Sequence, residues 1–436
     1  MTYNNALKWI HSAPEVLEDT GSKERLARLW GLLAFPKRSF KYLRVAGACG
    51  KTVCAELLSA VYENSPYTVG CLLMPLRGDF RDNILVNNRS LSFEELSKYA
   101  DRIRVAIKKL NQAPTDAEQT EDSVPHATLS APICFTRHEL LLTVALLAFL
   151  DKGCRLCIIE SEGSAEDPTR FLPAPQLLSL CGPIDTTDEE EIRRIHSYAS
   201  HGIRELICSF SGEKGYQFIS KVCAKVNCRL TLASPRDAEI RTVAPRECVF
   251  FYRGTEYRTA LFGAFQIENF ILVSETLHAL GRLGFPLPEE EMQRRLCAVR
   301  LPCRCEILSL SPTIVVDSSH YTSALRTVCD SLWDIRSVTG ESIHICAPEG
   351  ALAHETANIF RKKGYRIASI LTLPYEEVTE YLPEQKRYKQ IKRIRELSKQ
   401  ILDASKQGDM VYLCGPAPFA ERLRHELLSQ MGFIKK

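Results

Sequence analysis

The stretch VAGACGKTVCAELLSAV (residues 45–61) decides the fold of this chain. Its apolar start is typical of a buried strand, and the apolar residues in its second half recur at the spacing of a helix. Between them, glycines let the backbone curl around a phosphate, and a lysine adds positive charge where a helix begins. The pattern predicts a phosphate-binding loop made by Gly47, Gly50, Lys51 and Thr52, with the Thr52 hydroxyl available to Mg²⁺.

This loop has the shorter G-x-x-G-K-T form, because Val45 stands where the longer Walker spacing requires a glycine. The alternative interpretation is a chance glycine turn in front of a helix. The strand before the loop and the helix after it favour the phosphate site.

The rest of the chain reads as alternating helices and strands. A helix over residues 137–150 leads into a strand that ends at Glu160, and an amphipathic helix is predicted over residues 269–283. After Pro302 a new unit starts with the strand TIVVD (residues 313–317). We therefore predict an α/β protein: a P-loop-type central ATPase domain with a mainly parallel sheet (residues 1–298), followed by a smaller Rossmann-like α/β C-terminal domain (residues 299–436).

Composition excludes several classes of partner. The 436 residues carry a formal net charge of +3, which gives no electrostatic case for nucleic acid. No apolar run reaches the ~20 residues of a membrane span, and the first residues do not resemble a signal peptide. We expect a cytoplasmic monomer without a membrane partner. The 17 cysteines include the pairs Cys154/Cys157 and Cys303/Cys305, but neither has a second ligand pair at zinc spacing.

The order of several motifs resembles the folylpolyglutamate synthase/dihydrofolate synthase family of the Mur ligase superfamily. The family's loop, usually G-T-N-G-K-G-S or G-T-N-G-K-T-T, is matched by residues 47–53. Its D-G-A-H-N-P strand end resembles residues 317–322. The other matching segments are residues 3–12, 70–76, 80–87, 158–160, 302–306 and 411–415, with single matches at Glu139 and Asn269.

The resemblance implies an ATP-dependent ligase. Such an enzyme transfers the γ-phosphoryl group of ATP to a folate-type carboxylate, and the amine of L-glutamate then attacks the acyl phosphate and expels phosphate. A site of this kind must hold two anions together, so it needs a phosphate cradle, Mg²⁺ and a nearby cation. The implied cofactors are ATP and Mg²⁺, and the implied partners are a folate-type acid and L-glutamate.

The resemblance also assigns residues to this chemistry. Lys51 and His320 would be the catalytic residues, and Thr52 and Glu160 would hold Mg²⁺. The nucleotide would further contact Asn269, Arg304 and Asp317, the last two reaching it from the second domain when the interdomain cleft closes about a hinge at residues 297–303.

Four of these residues have a simpler interpretation. Glu160 could face solvent at a strand end, and Arg304 could form a surface ion pair. Asn269 and Asp317 could each cap a helix.

Several family positions have changed in this chain. Met74 stands where the family has a Mg²⁺-binding serine, and the histidine expected after Asp185 is absent. The family's lysine is missing near residues 200–203, and its D-K-D signature near residues 347–349. These departures leave two hypotheses open. The chain is an ATP-dependent, ADP-forming acid–amino acid ligase, which we favour, or a catalytically reduced relative that binds nucleotide or a partner in a regulatory or scaffolding role.

Overall fold

The computed structural model describes most of the 436 residues. The residues outside the description are 18–20, 36–39, 75–76, 78, 113–131, 164–166, 174, 183, 185–186, 199–202, 210–211, 337–341, 376–383, 405–407 and 434–436. Asp185 and the segment 200–202 are among these. So is almost all of the polar, proline-containing segment over residues 111–130, which the sequence predicts to be an exposed loop.

Thirteen helices are present in the described part of the chain. They are α1 (Tyr3–His11), α2 (Ser22–Leu32), α3 (Lys51–Tyr62), α4 (Phe93–Gln112), α5 (Arg137–Asp151), α6 (Glu189–Tyr198), α7 (Gly212–Val226), α8 (Ala264–Arg282), α9 (Glu289–Ala298), α10 (Thr322–Asp334), α11 (Ala351–Lys363), α12 (Glu384–Ala404) and α13 (Ala417–Gln430).

The strands of the described residues form three sheets. They are β1 (Lys41–Gly47), β2 (Val69–Leu72), β3 (Ile84–Val86), β4 (Arg89–Ser90), β5 (Leu156–Glu160), β6 (Leu177–Cys181), β7 (Glu205–Ser209), β8 (Arg229–Ala233), β9 (Ala238–Ala244), β10 (Glu247–Tyr252), β11 (Thr255–Thr259), β12 (Glu306–Leu310), β13 (Thr313–Asp317), β14 (Ser342–Pro348), β15 (Arg366–Leu373) and β16 (Met410–Cys414).

The largest sheet has eight strands in the order β4-β3-β2-β5-β1-β6-β7-β8. Six of its strands run parallel, namely β2, β5, β1, β6, β7 and β8. The short strands β3 and β4 extend the edge next to β2 and are antiparallel. Helices cover both faces, so central strands such as β5 are buried along their whole length. One face packs against α3 and α8, and the other packs against α1, α2, α4 and α5.

A five-stranded sheet, ordered β12-β13-β16-β14-β15, follows later in the chain. Only β12 is antiparallel, and helices α10 to α13 pack on the two faces. The predicted α/β fold class, with a large mainly parallel sheet followed by a smaller α/β unit, is confirmed.

The predictions were wrong in one region. Residues 175–265 read from the sequence as strand-like runs that alternate with helical ones, but the run CVFFY (residues 248–252) is the middle strand of an antiparallel three-stranded sheet, β11-β10-β9. This small sheet covers α8, which the large sheet covers from the other side. The helix is consequently buried on nearly all sides, so the predicted amphipathic character was wrong. It also begins at Ala264 rather than at residue 269.

The apolar helix α5 stays within the protein core. Its N-terminus carries a capping box between Thr136 and Glu139, and the buried Glu139 carboxylate pairs with Arg25 at 2.8 Å. Within the described part of the chain, no helix combines the length and apolar character needed to cross a bilayer.

Candidate functional site

The predicted phosphate loop connects β1 to α3 and is tightly enclosed. Gly47 (φ +121°) and Gly50 (φ +82°) both lie in the left-handed region of backbone space, where glycine is favoured. A Cβ atom at Gly47 would overlap the backbone of Cys181, and one at Gly50 would overlap the side-chain oxygen of Asn269. Both glycines are therefore required by close approach as well as by backbone conformation.

Lys51 is the first residue of α3. Its ammonium donates a 2.9 Å hydrogen bond to the carbonyl oxygen of Gly47, which places the charge across the loop. The positive end of the α3 dipole lies at the same point. Together with the loop N–H groups, this geometry is suited to a phosphate.

Glu160 ends β5 directly beside Val45 of β1, and its side chain is fully buried. The Thr52 hydroxyl donates a 2.6 Å hydrogen bond to one carboxylate oxygen, and the Met74 N–H lies 3.3 Å from the other. Burial raises the pKa of Glu160 to about 7, against the opposing effects of the Thr52 hydrogen bond and the Lys51 charge. The solvent-facing interpretation of Glu160 was wrong.

Asn269 lies in the second turn of α8, whose N-cap is Gly263, so the capping interpretation of Asn269 was wrong. Its side-chain amide nitrogen donates a 3.2 Å hydrogen bond to Gln266. Gln266 in turn approaches the carbonyl oxygen of Arg304 at 3.4 Å. Asn269 thus connects the phosphate loop, through Gln266, to the segment that leads into the second sheet.

Arg304 precedes β12 but reaches the helix of the phosphate loop. Its Nε atom lies 3.5 Å from the carboxylate of Glu56 on α3, and its Nη1 atom contacts the Ser318 hydroxyl. Arg77 contacts the other oxygen of Glu56 and lies 3.8 Å from Glu421 on α13. Because the Arg304 side chain is only 16% exposed, the interpretation as a surface ion pair was wrong.

Asp317 and His320 lie at the carboxyl end of β13. The buried Asp317 carboxylate accepts hydrogen bonds from the Ser319 N–H at 2.8 Å and the Cys305 N–H at 3.1 Å. Burial raises its pKa, while the Ser319 hydrogen bonds lower it. The next helix, α10, has Tyr321 at its N-cap, so the capping interpretation of Asp317 was also wrong.

The His320 imidazole has its polar contact within its own loop. Its Nδ1 atom lies 3.1 Å from the Ser318 carbonyl oxygen, and its ring packs on Tyr321 at 4.1 Å between centroids. Burial raises the pKa of Tyr321, and the negative charge of Glu162 on the loop after β5 contributes to the increase. Tyr321, beside His320, is therefore within electrostatic reach of Glu162.

The structure brings Lys51, Thr52, Glu160, Asn269 and Arg304 to one region at the carboxyl ends of the parallel strands. The sequence analysis missed three contributors: Glu56, Arg77 and Gln266. Glu56 follows Thr52 by one helical turn, which is a signal that helix geometry could have supplied. Nothing in the local sequence pairs it with Arg77 or Arg304.

The region offers few groups for a metal. Among the described residues, no group of three or more histidine, cysteine or acidic side chains is arranged to hold an ion. The Met74 side chain is buried in the apolar core. Thr52 and Glu160 supply two oxygen ligands side by side, which suits a Mg²⁺ ion that keeps waters and phosphate oxygens as its other ligands.

No family model matches the chain. A folylpolyglutamate synthase of Lacticaseibacillus casei is 24% identical over 352 residues, covering 76% of this chain and 77% of the relative. A dihydrofolate synthetase of Saccharomyces cerevisiae is 27% identical over 159 residues, covering 36% of this chain and 32% of the relative. A solved complex of FPGS with AMPPCP and folate superposes with a TM-score of 0.76 at 19% identity, covering 98% of this chain and all of that one.

The structural likeness shows that the fold is shared along nearly the full chain. The resemblance to the folylpolyglutamate synthase/dihydrofolate synthase family is confirmed, and the chain is a divergent relative of these proteins.

Proposed function

We propose that the chain is an ATP-dependent ligase that joins a folate-type carboxylate to L-glutamate through an acyl phosphate, with release of ADP. The observation that carries the proposal is the phosphate loop, with Lys51 across it and the Thr52–Glu160 pair beside it. The named relatives support the choice of substrates, since one is a folylpolyglutamate synthase and the solved complex holds AMPPCP and folate.

The residues of the loop would carry distinct parts of the reaction. The loop N–H groups and Lys51 would bind the phosphates and offset the negative charge that develops during transfer. Thr52 and Glu160 would hold Mg²⁺, which neutralises phosphate charge when bound. Because burial favours protonated Glu160, the carboxylate must lose its proton to act as a ligand.

We also propose that the chain works as two domains, residues 1–298 and 299–436, that close on the nucleotide. Asn269 would contact the nucleotide from α8, and Arg304, Asp317 and His320 would approach it from the second domain. The contacts of Arg304 with Glu56 and with Ser318 support this, because one guanidinium touches elements next to both sheets. His320 would act on the transferring group after closure. A cytoplasmic monomer without a nucleic-acid partner stays a prediction.

A specific observation favours the second hypothesis, a catalytically reduced nucleotide-binding protein. Met74 is buried, and its backbone N–H approaches Glu160, so a thioether stands where the family uses a hydroxyl to bind Mg²⁺. A thioether is a poor ligand for a hard cation. Loss of a charge-stabilising group can lower the rate of phosphoryl transfer by roughly 10²–10³.

The deciding experiment measures ADP and phosphate release by the full chain. It uses Mg-ATP, L-glutamate and either dihydropteroate or tetrahydrofolate. Release that requires both the acid and the amino acid, with an amide product detected by mass spectrometry, supports the ligase. The Lys51→Ala variant is expected to lose that activity, whereas Lys98→Ala, which removes an exposed lysine paired with Asp151, leaves it unchanged.

Thermal unfolding separates the two hypotheses. A ligand that binds only the native state raises the melting temperature, so Mg-ATP should stabilise the wild type and not Lys51→Ala. Stabilisation without turnover would favour the reduced nucleotide-binding protein. An equal shift in wild type and Lys51→Ala would show that the loop is not the nucleotide site.

A further inference from the structure

A pocket of about 400 Å³ lies between β8, the hairpin of β10 and β11, and α8. The pocket is separate from the phosphate loop. Helix α8 contacts the loop through Asn269 and lines the pocket with Ser274 and His278. At ~1.5 Å per residue, Ser274 and His278 lie roughly 8 and 14 Å from Asn269 along the helix axis. The volume is within the range of small-molecule sites.

The floor of the pocket is polar and deeply buried. Glu275 is only 2% exposed. Its carboxylate accepts a 2.8 Å hydrogen bond from the Tyr252 hydroxyl and lies 3.2 Å from the guanidinium of Arg253. Ser274 is 1% exposed, and its hydroxyl has no hydrogen-bond partner at acceptable geometry. It lies near the Tyr257 hydroxyl, but the contact is too poorly aligned to satisfy the Ser274 hydroxyl; burial raises the pKa of Tyr257, and this weak side-chain hydrogen bond opposes that increase.

A second polar atom of the pocket is also without a partner. The Nε2 atom of His278 lies 3.0 Å from the carboxylate of Glu289, but the buried Nδ1 atom makes no hydrogen bond. Ser274 and His278 are four residues apart and thus share one face of α8, which is the face that lines the pocket. Buried polar atoms without partners are uncommon, so two at one pocket indicate a ligand that supplies their hydrogen bonds.

The charges around the pocket have both signs. Arg229 and Arg282 line the pocket but pair with Glu205, so Arg253 is the guanidinium that faces Glu275, while Glu275 and Glu289 contribute carboxylates. A simple anion would be repelled by the carboxylates, and a simple cation would be repelled by the guanidiniums. A molecule that carries one charge of each sign close together fits both groups.

We propose that this pocket binds a free α-amino acid. The carboxylate of the ligand would lie against Arg253, and its ammonium would lie between Glu275 and Glu289. The Ser274 hydroxyl and the His278 Nδ1 atom would complete the hydrogen bonds, and the rings of Tyr252 and Tyr257 would contact the ligand side chain. This site is separate from the proposed ligase site and does not depend on that activity.

Titration calorimetry on the full chain tests the proposal. Each standard L-amino acid is titrated to about 10 mM, tenfold above the Kd of a weak 1 mM ligand. The strongest ligand is then compared with its two analogues that lack the ammonium or the carboxylate. We expect saturable binding of at least one amino acid and about tenfold weaker binding of each analogue. An analogue that binds as tightly as the amino acid overturns the proposal, as does the absence of any binding.

Variants locate the binding. Arg253→Gln and Ser274→Ala are each expected to weaken it about tenfold. Arg241→Gln is the matched control, because Arg241 lies on the same small sheet with nearly equal side-chain exposure (57% against 58%) and pairs with Glu239 outside the pocket. Binding that survives Arg253→Gln and Ser274→Ala contradicts the proposal. Binding that is lost only in Lys51→Ala would place the amino acid at the phosphate loop and also overturns it.

Discussion

The Thr52 hydroxyl donates a 2.6 Å hydrogen bond to the Glu160 carboxylate, although 108 residues separate the two in sequence. The contact exists because β1 and β5 are adjacent parallel strands whose carboxyl ends coincide, with Val45 opposite Glu160. Thr52 is the second residue of the helix after one strand, and Glu160 ends the other. The pair brings two side-chain oxygen atoms to the edge of the sheet where open α/β sheets bind ligands.

The first prediction concerns Mg²⁺ at this pair. Thr52→Val and Glu160→Gln should each reduce the affinity for an ATP analogue about tenfold when Mg²⁺ is present, because the first removes the hydroxyl oxygen and the second removes the carboxylate charge. Without Mg²⁺, their affinities should match the wild type. Calorimetry measures both, and Glu290→Gln on the exposed face of α9 is the control.

Calorimetry can also measure the binding of Mg²⁺ to the protein without nucleotide. Two protein oxygens make a weak site, so Mg²⁺ should arrive with the nucleotide. Tight binding of Mg²⁺ to the nucleotide-free protein would contradict this assignment, and so would variants whose affinities fall equally with and without the metal.

The second prediction concerns Gly47. An alanine there would adopt φ near +121° and overlap the backbone of Cys181, so Gly47→Ala should lower the free energy of unfolding by about 3 kcal/mol or more. Gly153→Ala is the matched control. Gly153 has φ +66° with open space around it. Gly153→Ala should therefore lower the free energy of unfolding by only about 1 kcal/mol, from backbone strain alone. Urea unfolding of both variants measures the difference, and equal losses would show that the Cys181 contact is unimportant.

The third prediction concerns the Glu56–Arg304 pair. Both side chains are largely buried, at 11% and 16% exposure, so a double-mutant cycle of Glu56→Gln and Arg304→Met should give a coupling of roughly 1–3 kcal/mol. The exposed Glu239–Arg241 pair, at 2.8 Å, should give less than about 1 kcal/mol. Urea unfolding provides the four free energies of each cycle. A coupling no larger than that of the exposed pair would mean that the ion pair adds little to the joining of the two sheets.

The fourth prediction concerns His11 at the end of α1. Burial, with smaller effects from the charges of Arg137 and Arg422, lowers the pKa of His11 from 6.5 to about 4. Between these values the unfolded chain binds more protons than the folded one. The His11 contribution to stability therefore increases as pH rises from about 4 to 6.5 and is constant above that range.

Urea midpoints measured across that pH range test this dependence. The stability of His11→Gln should rise less steeply with pH than that of the wild type, because the contribution from the His11 imidazole is absent. His354→Gln should keep the wild-type slope, because His354 is exposed on α11. An unchanged slope in His11→Gln would contradict the lowered pKa.

Much of the geometry of the candidate phosphate loop was predictable from local patterns. Glycine conformation, helix start and lysine position are all encoded within a few residues, while phosphate binding by the loop stays a prediction. Glu160 was placed by a continuous apolar strand that ends in an acid. Asn269 was assigned to the wrong part of its helix, because α8 is buried on nearly all sides and shows no clear polar face to mark where it begins.

The sequence by itself determined the α/β class, the order of most strands and helices along the chain, and the glycine-rich turn between β1 and α3, because these depend on short-range periodicity and backbone preference. Only the tertiary structure decided that Glu56 meets Arg77 and Arg304, and that Ser274 and His278 face a polar pocket. These contacts join residues far apart in the chain. Their formation depends on which strands become neighbours and how the sheets pack, and no local pattern encodes that choice.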